Sequence, residues 1–245
     1  MDPERIRIET ADGVADVRMT RADKHNGLDG AMFTSLIEAI DELAGDGDLR
    51  AVVLSGEGPS FCAGLDIKSF ASGEGPDLLE RPDGEVANLA QKVAYGWREL
   101  PVPVIAAVHG ACFGGGLQIA LGADIRIAAP DARLSVMEIV HGLIPDMSIT
   151  QTLPRLVRDD VARELVYTGR QVEADEAQRL GLVTGVDDDP LEAARDLAAT
   201  IAERRPEAIR NAKRLHNEAP GLDAAGALLL ETELQLELLG ALRAG

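Results

Sequence analysis

Two segments of this chain combine small residues with a step from strand to helix, and both could hold an anion. Ile105-Ala106-Ala107-Val108-His109-Gly110 reads as a buried strand leading to Gly114-Gly115-Gly116-Leu117-Gln118, where a short helix begins near Leu117. Amides at a helix start have no intrahelical acceptor, and glycine lets a ligand approach them closely. Taken alone, a triple glycine reads equally well as a tight turn. The second segment, Phe61-Cys62-Ala63-Gly64-Leu65-Asp66-Ile67-Lys68, repeats the arrangement after another buried strand and offers a second outward amide near Leu65. Two such amides can grip one oxygen and stabilise negative charge that develops on it.

The elements that must position these turns alternate between strand and helix. Ile6-Arg7-Ile8 and Val14-Ala15-Asp16-Val17 flank an Asp12-Gly13 turn and predict a hairpin. Apolar residues at helical spacing predict a helix over 30–44, and Ala51 to Ser55 reads as a strand. A polar, glycine-containing loop is expected over 69–84 and a helix over 85–100. The apolar run 102–108 predicts a strand buried on both faces, and 124–128 and 133–136 repeat the pattern. This alternation places the first two thirds in the α/β class. Beyond Asp159 helix formers dominate, which divides the chain into an α/β core over 1–185 and a C-terminal helical subdomain over 186–245.

Composition narrows the function. The 245 residues suffice for a substantial core. Cys62 and Cys112 are far apart with no Cys-x-x-Cys spacing, so no metal site and no redox pair are expected, and a reducing cytoplasmic location suits them. The charged start Met1-Asp2-Pro3-Glu4-Arg5 carries no apolar signal region, and the apolar runs are too short for a bilayer. A net charge of −18 repels phosphate backbones, and 3% aromatic residues leave little for base stacking, so nucleic-acid binding is not expected.

The two glycine segments, in this order and separation, resemble the hallmarks of the enoyl-CoA hydratase/isomerase (crotonase) family. The first is similar to its (Ala/Cys)-Gly-x-Asp-(Ile/Leu) stretch and the second to its Gly-x-x-x-Gly-Gly-Gly signature through Asp124. Arg21 to Leu28, Thr150-Gln151 with Leu153, Leu165 to Gly169, and Glu176-Ala177 with Gly181-Leu182-Val183 correspond as well. The resemblance implies a ClpP/crotonase-like fold, with repeated ββα units forming a spiral core. It implies a thioester oxygen held by the amides of Leu65 and Gly115, and CoA bound near Lys24, Ala63, Gly64, Asp66, Ile67, Lys68 and Gly114. It also implies that acyl-CoA is the substrate, that no cofactor is needed, and that the chain forms a homotrimer or dimer of trimers. The leucine-rich segment 228–239 is more apolar than one amphipathic face requires, which fits packing between subunits.

Hydratases of the family use two glutamates. The resemblance places one at Gln118 and the other at Glu138, so one carboxylate is replaced by an amide that cannot exchange a proton at neutral pH. Asp146, eight residues after Glu138, resembles the catalytic aspartate of the dienoyl-CoA isomerase branch. Double-bond isomerisation with Glu138 as base and Asp146 as proton partner is therefore expected. Hydration by Glu138 with a water held on Gln118 is an alternative, and an acyl-CoA-binding protein with little catalysis is another. Plainer readings stand beside these: Glu138 as a helix cap, Asp146 as the start of the next helix, His141 as a solvated or packed histidine, His109 as a turn residue, and Met137 and Met147 as packing or pocket wall.

Overall fold

A computed structural model describes residues 1–71 and 76–244 of the chain. Strands β1 (Ile6–Ala11) and β2 (Val14–Met19) form the expected antiparallel hairpin. Asp12 and Gly13 at its tip both have positive φ, at 51° and 79°, the conformation a two-residue turn needs to follow the strand twist. Helix α1 (Gly30–Gly45) follows, its first turn capped by Asp29, which accepts the Met32 amide at 2.8 Å. Next come β3 (Ala51–Gly56), the short α2 (Ile67–Ala71), α3 (Leu89–Glu99), β4 (Val104–Val108), β5 (Ala111–Phe113), α4 (Gly115–Gly122), β6 (Ile125–Ala128) and β7 (Arg133–Ser135). The last third holds α5 (Ile149–Thr152), α6 (Asp159–Thr168), β8 (Val172–Glu173), α7 (Ala174–Leu180), β9 (Gly185–Val186), α8 (Pro190–Ala202), α9 (Pro206–Glu218) and α10 (Ala224–Ala244).

The main sheet runs β1-β2-β3-β4-β6-β9 and is parallel everywhere except at the hairpin; a smaller sheet runs β5-β7-β8. Every residue of β4 is buried, and so is β3 up to its last glycine, as their unbroken apolar runs require. Residues of α1 and α3 join the larger apolar cluster with alternate residues of β3 and β4, while Ala194 and Ala198 of α8 pack on Ala51, Val53, Ile105 and Ala107. Thus α8, which follows the expected boundary at 185, seals a face of the main sheet. Helix α9 is pinned by Lys213, whose buried ammonium donates to the carbonyls of Trp97 and Val102 and to Asp124, at 3.1, 2.7 and 2.9 Å. A cation so enclosed is tolerable because its three protons all find acceptors.

Three boundaries differ from expectation. The helix expected from 85 begins at Leu89, because Asn88 and Gln91 form a reciprocal capping box. The helix expected near Leu117 begins at Gly115. The loop expected over 69–84 contains the end of α2, and residues 72–75 of it lie outside the described residues.

Candidate active site

The loop that carries Leu65 is stapled from beneath. Asn26, fully buried and left-handed at φ 53°, turns its amide nitrogen onto the carbonyls of Glu57, Ser60 and Phe61 at 3.0, 2.8 and 3.1 Å. The Ala63 amide donates to His25 O at 2.9 Å, and the Cys62 thiol donates to Asn26 O at 3.0 Å. Burial pushes that thiol up to about 12, so it serves as a packed donor and not as a nucleophile. A parallel bridge then pairs Leu28 with Leu65: Leu28 N–H donates to Gly64 O at 2.8 Å and Asp66 N–H to Leu28 O at 2.9 Å. Because successive amides of an extended chain point opposite ways, the Leu65 N–H faces away from Leu28.

Gly115 begins α4, with Gly114 as its N-cap at φ 52°, ψ −124°. Its amide therefore has no intrahelical acceptor. The Leu65 loop and this helix start touch backbone to backbone. A methyl on Gly64 would lie 2.7 Å from Phe113 O and 3.6 Å from Gly115 N, and one on Gly116 would lie 2.3 Å from Cys62 O. Glycine at both places lets the Leu65 loop and the start of α4 approach this closely.

Glu138 opens a 3-10 turn (Glu138–His141) directly across from these glycines. A methyl on Gly114 would sit 3.3 Å from its Oε1. Gln118, one turn along α4 and 1% exposed, donates from Nε2 to Glu138 Oε1 at 2.6 Å and accepts the Met147 amide on Oε1 at 2.9 Å. Glu138 Oε2 is buried with no partner among the described residues. Burial raises the Glu138 carboxyl above the usual carboxylate range. Hydrogen bonds from its own amide and from Gln118 oppose this without cancelling it, and the nearby Asp146 charge adds to it. A carboxyl with a raised affinity for protons, set against the uncapped amides at the start of α4, has the chemistry to take up and return a proton beside an anion.

Comparison with known proteins decides the family. A profile described as Enoyl-CoA hydratase/isomerase matches residues 9–238. The chain is 36% identical over 225 residues to the mitochondrial Delta(3,5)-Delta(2,4)-dienoyl-CoA isomerase of Rattus norvegicus, covering 86% of this chain and 68% of the rat protein. It is 34% identical over 236 residues to the short-chain-enoyl-CoA hydratase of Clostridium acetobutylicum, covering 95% and 88%. The crystal structure of enoyl-CoA hydratase from Bacillus anthracis superposes with a TM-score of 0.85 at 32% identity, covering 98% of this chain and 96% of that one.

The chain belongs to the enoyl-CoA hydratase/isomerase family. Its fold is the crotonase fold, as the glycine segments implied. Of the residues that family resemblance singled out, Gln118, Glu138, Gly114, Gly115 and the Gly64–Leu65 turn come together in one place. Asp146 is exposed and makes no hydrogen bond among the described residues, although its charge acts on Glu138. Gln118 hydrogen-bonds Glu138 through its nitrogen and Met147 through its oxygen. Ala63 and Ile67 flank the loop, and Lys24 and Lys68 are exposed. Asp66 is taken up internally: its carboxylate accepts the Ser69 amide and pairs with Arg21 at 2.9 Å.

Sequence reasoning missed the support of this crotonase-family site. Arg5 grips Asp29 with three hydrogen bonds, and Arg21 spans from Asp66 to Asp29 and to Gly27 O, tying the Leu65 loop to the start of α1. Burial alone would raise the Asp29 carboxyl; the Arg5 hydrogen bonds, the Met32 amide and the Arg21 charge outweigh it and hold it below the ordinary range. The largest cavity among those described, about 720 Å³, lies elsewhere, at the C-terminal end of α4 among Arg98, Asp124, Arg126, Arg155, Lys213 and His216.

Proposed function

We propose that the protein isomerises the double bond of an enoyl-CoA or dienoyl-CoA thioester. The amides of Leu65 and Gly115 would hold the thioester oxygen, and CoA would lie along Lys24, Ala63, Gly64, Asp66, Ile67, Lys68 and Gly114. With a 3-enoyl thioester, Glu138 takes a proton from C2 and the electron pair passes into a dienolate whose negative charge rests on the oxygen. Glu138 then returns the proton to C4, the double bond settles between C2 and C3, and no atom is gained or lost. Asp146, in electrostatic reach of Glu138, is the proton partner for the longer shift in a dienoyl substrate.

The observation that carries this reading is the Glu138 carboxyl, its Oε2 enclosed, beside the glycine turn, with an amide at Gln118 where hydration needs a second acid. The rat dienoyl-CoA isomerase supports it. Hydration of a 2-enoyl-CoA by Glu138 is the second reading, favoured by the Clostridium relative. The reaction consumes no cofactor, and the protein is proposed to work in the cytoplasm as a homotrimer or dimer of trimers. The test compares 3-enoyl-CoA and 3,5-dienoyl-CoA isomerisation with 2-enoyl-CoA hydration in one preparation. Isomerisation should dominate and fall on the order of 10²-fold or more in Glu138→Gln. Faster hydration, or isomerisation that Glu138→Gln leaves unchanged, rejects the proposal.

A further inference from the structure

Gln118 has only one orientation open to it. Met147 presents a backbone N–H, which can only donate, so the atom facing it at 2.9 Å must be the amide oxygen. The amide nitrogen is thereby aimed at Glu138 Oε1, 2.6 Å away. An amide nitrogen has no lone pair to offer, so it cannot accept a proton carried on Oε1. A carboxylic hydroxyl oxygen is also a poorer acceptor than a carbonyl or carboxylate oxygen, so the Gln118 N–H favours Oε1 as the acceptor and Oε2 as the protonated oxygen. The other oxygen, Oε2, is buried and without a protein partner among the described residues. The same glutamine holds the backbone of Met147, whose sulfur lies 2.8 Å from where a Cβ of Gly115 would be.

The geometry points to Gln118 as a positioning residue that holds Glu138 Oε1 as the acceptor, leaves Oε2 as the oxygen favoured to carry a travelling proton, and registers that oxygen against the Gly115 amide through Met147. This rests on the isomerase reading for its chemistry, but the strut itself is a property of the free protein. A carboxylate in place of Gln118 could share a proton with Oε1 and open a second route. The amide closes it, so a proton taken by Oε2 leaves from Oε2.

Two measurements test this on the intact chain. In the first, the carboxyl absorption of Glu138 is titrated by infrared difference spectroscopy in wild type, Gln118→Met and Gln118→Glu, with Glu138→Gln assigning the band. Loss of a hydrogen bond to a charged acceptor should move the Gln118→Met titration upward by on the order of one to two pH units. Gln118→Glu, nearly the same size and so the safer variant to fold, should titrate in two coupled steps. In the second, 2-deuterated 3-enoyl-CoA is isomerised and the label at C4 counted. Wild type should retain more label than Gln118→Met, and the acid limb of the kcat profile should move up with the titration. Unmoved titrations in both variants, or a lower rate with unchanged pH limb and label retention, would overturn the assignment. Shifted titrations in a protein that isomerises no enoyl-CoA would uphold the strut and remove the isomerase reading.

Discussion

Glu138 is the residue at which the proposed function and stability pull apart. Its burial raises the carboxyl above its unfolded value, so the wild type loses stability as pH rises from the unfolded value, near ~4.3, through the folded one. Glu138→Gln keeps the shape and an acceptor for Gln118 but carries no charge. It should be inactive and yet raise stability at pH 7 by about 0.5–2 kcal/mol, a few degrees in Tm, with the gain shrinking toward pH 4. Thermal melts at the two pH values check the sign; equal gains at both would show that charge burial is not the cause. The glycines opposite separate by the same kind of reasoning. An alanine at 115 meets the mobile ends of Met147 and Leu28, at 2.8 and 2.9 Å, whereas one at 116 meets the Cys62 carbonyl at 2.3 Å. Gly115→Ala should fold with kcat reduced, while Gly116→Ala should lose at least ~1–3 kcal/mol of stability or fail to fold. Circular dichroism melts beside the isomerase assay distinguish the two.

At the scale of elements, the loop of Leu65 owes its place to side chains from the segment before α1. Asp29 caps α1, receives Arg5 and attracts Arg21, and it is held below its ordinary pKa. Its contribution is therefore present above the unfolded value, about 3.9, and lost as pH falls through the folded one. Asp29→Asn should cost about 1–3 kcal/mol at pH 7 and progressively less in acid, as denaturant titrations at several pH values would record. The two glycine turns, the hairpin and the buried strands were legible in the sequence because each is a local pattern of residue type and spacing. The N-terminus of α3 was placed too early, at 85, because the capping-box spacing of Asn88 and Gln91 that sets it went unread. Asn26 was not legible. Its partners Glu57, Ser60 and Phe61 lie more than thirty residues away, and no periodicity links them. The commitment of Gln118 to both Glu138 and Met147 was hidden for the same reason, although each residue had been singled out.

At the scale of the molecule, α10 buries Leu230 and Leu234 but exposes Leu228, Leu229, Leu236 and Leu242. An apolar surface of this extent fits the proposed assembly of copies. Leu236→Glu should leave the protomer's fold intact and reduce the mass measured by light scattering; an unchanged mass would place the contact elsewhere. Helix α4 is confined on both sides, since a methyl on Gly116 would strike the Cys62 carbonyl and one on Gly122 would lie 2.0 Å from that of Ala94. The backbone that presents the Gly115 amide thus has no room to drift as neighbouring residues change. In a mutational library, change of chemistry is therefore channelled away from the glycines of this helix. It falls on positions 118, 138, 146 and 147, where new acids, amides or apolar groups meet the same backbone amides proposed to hold the oxyanion.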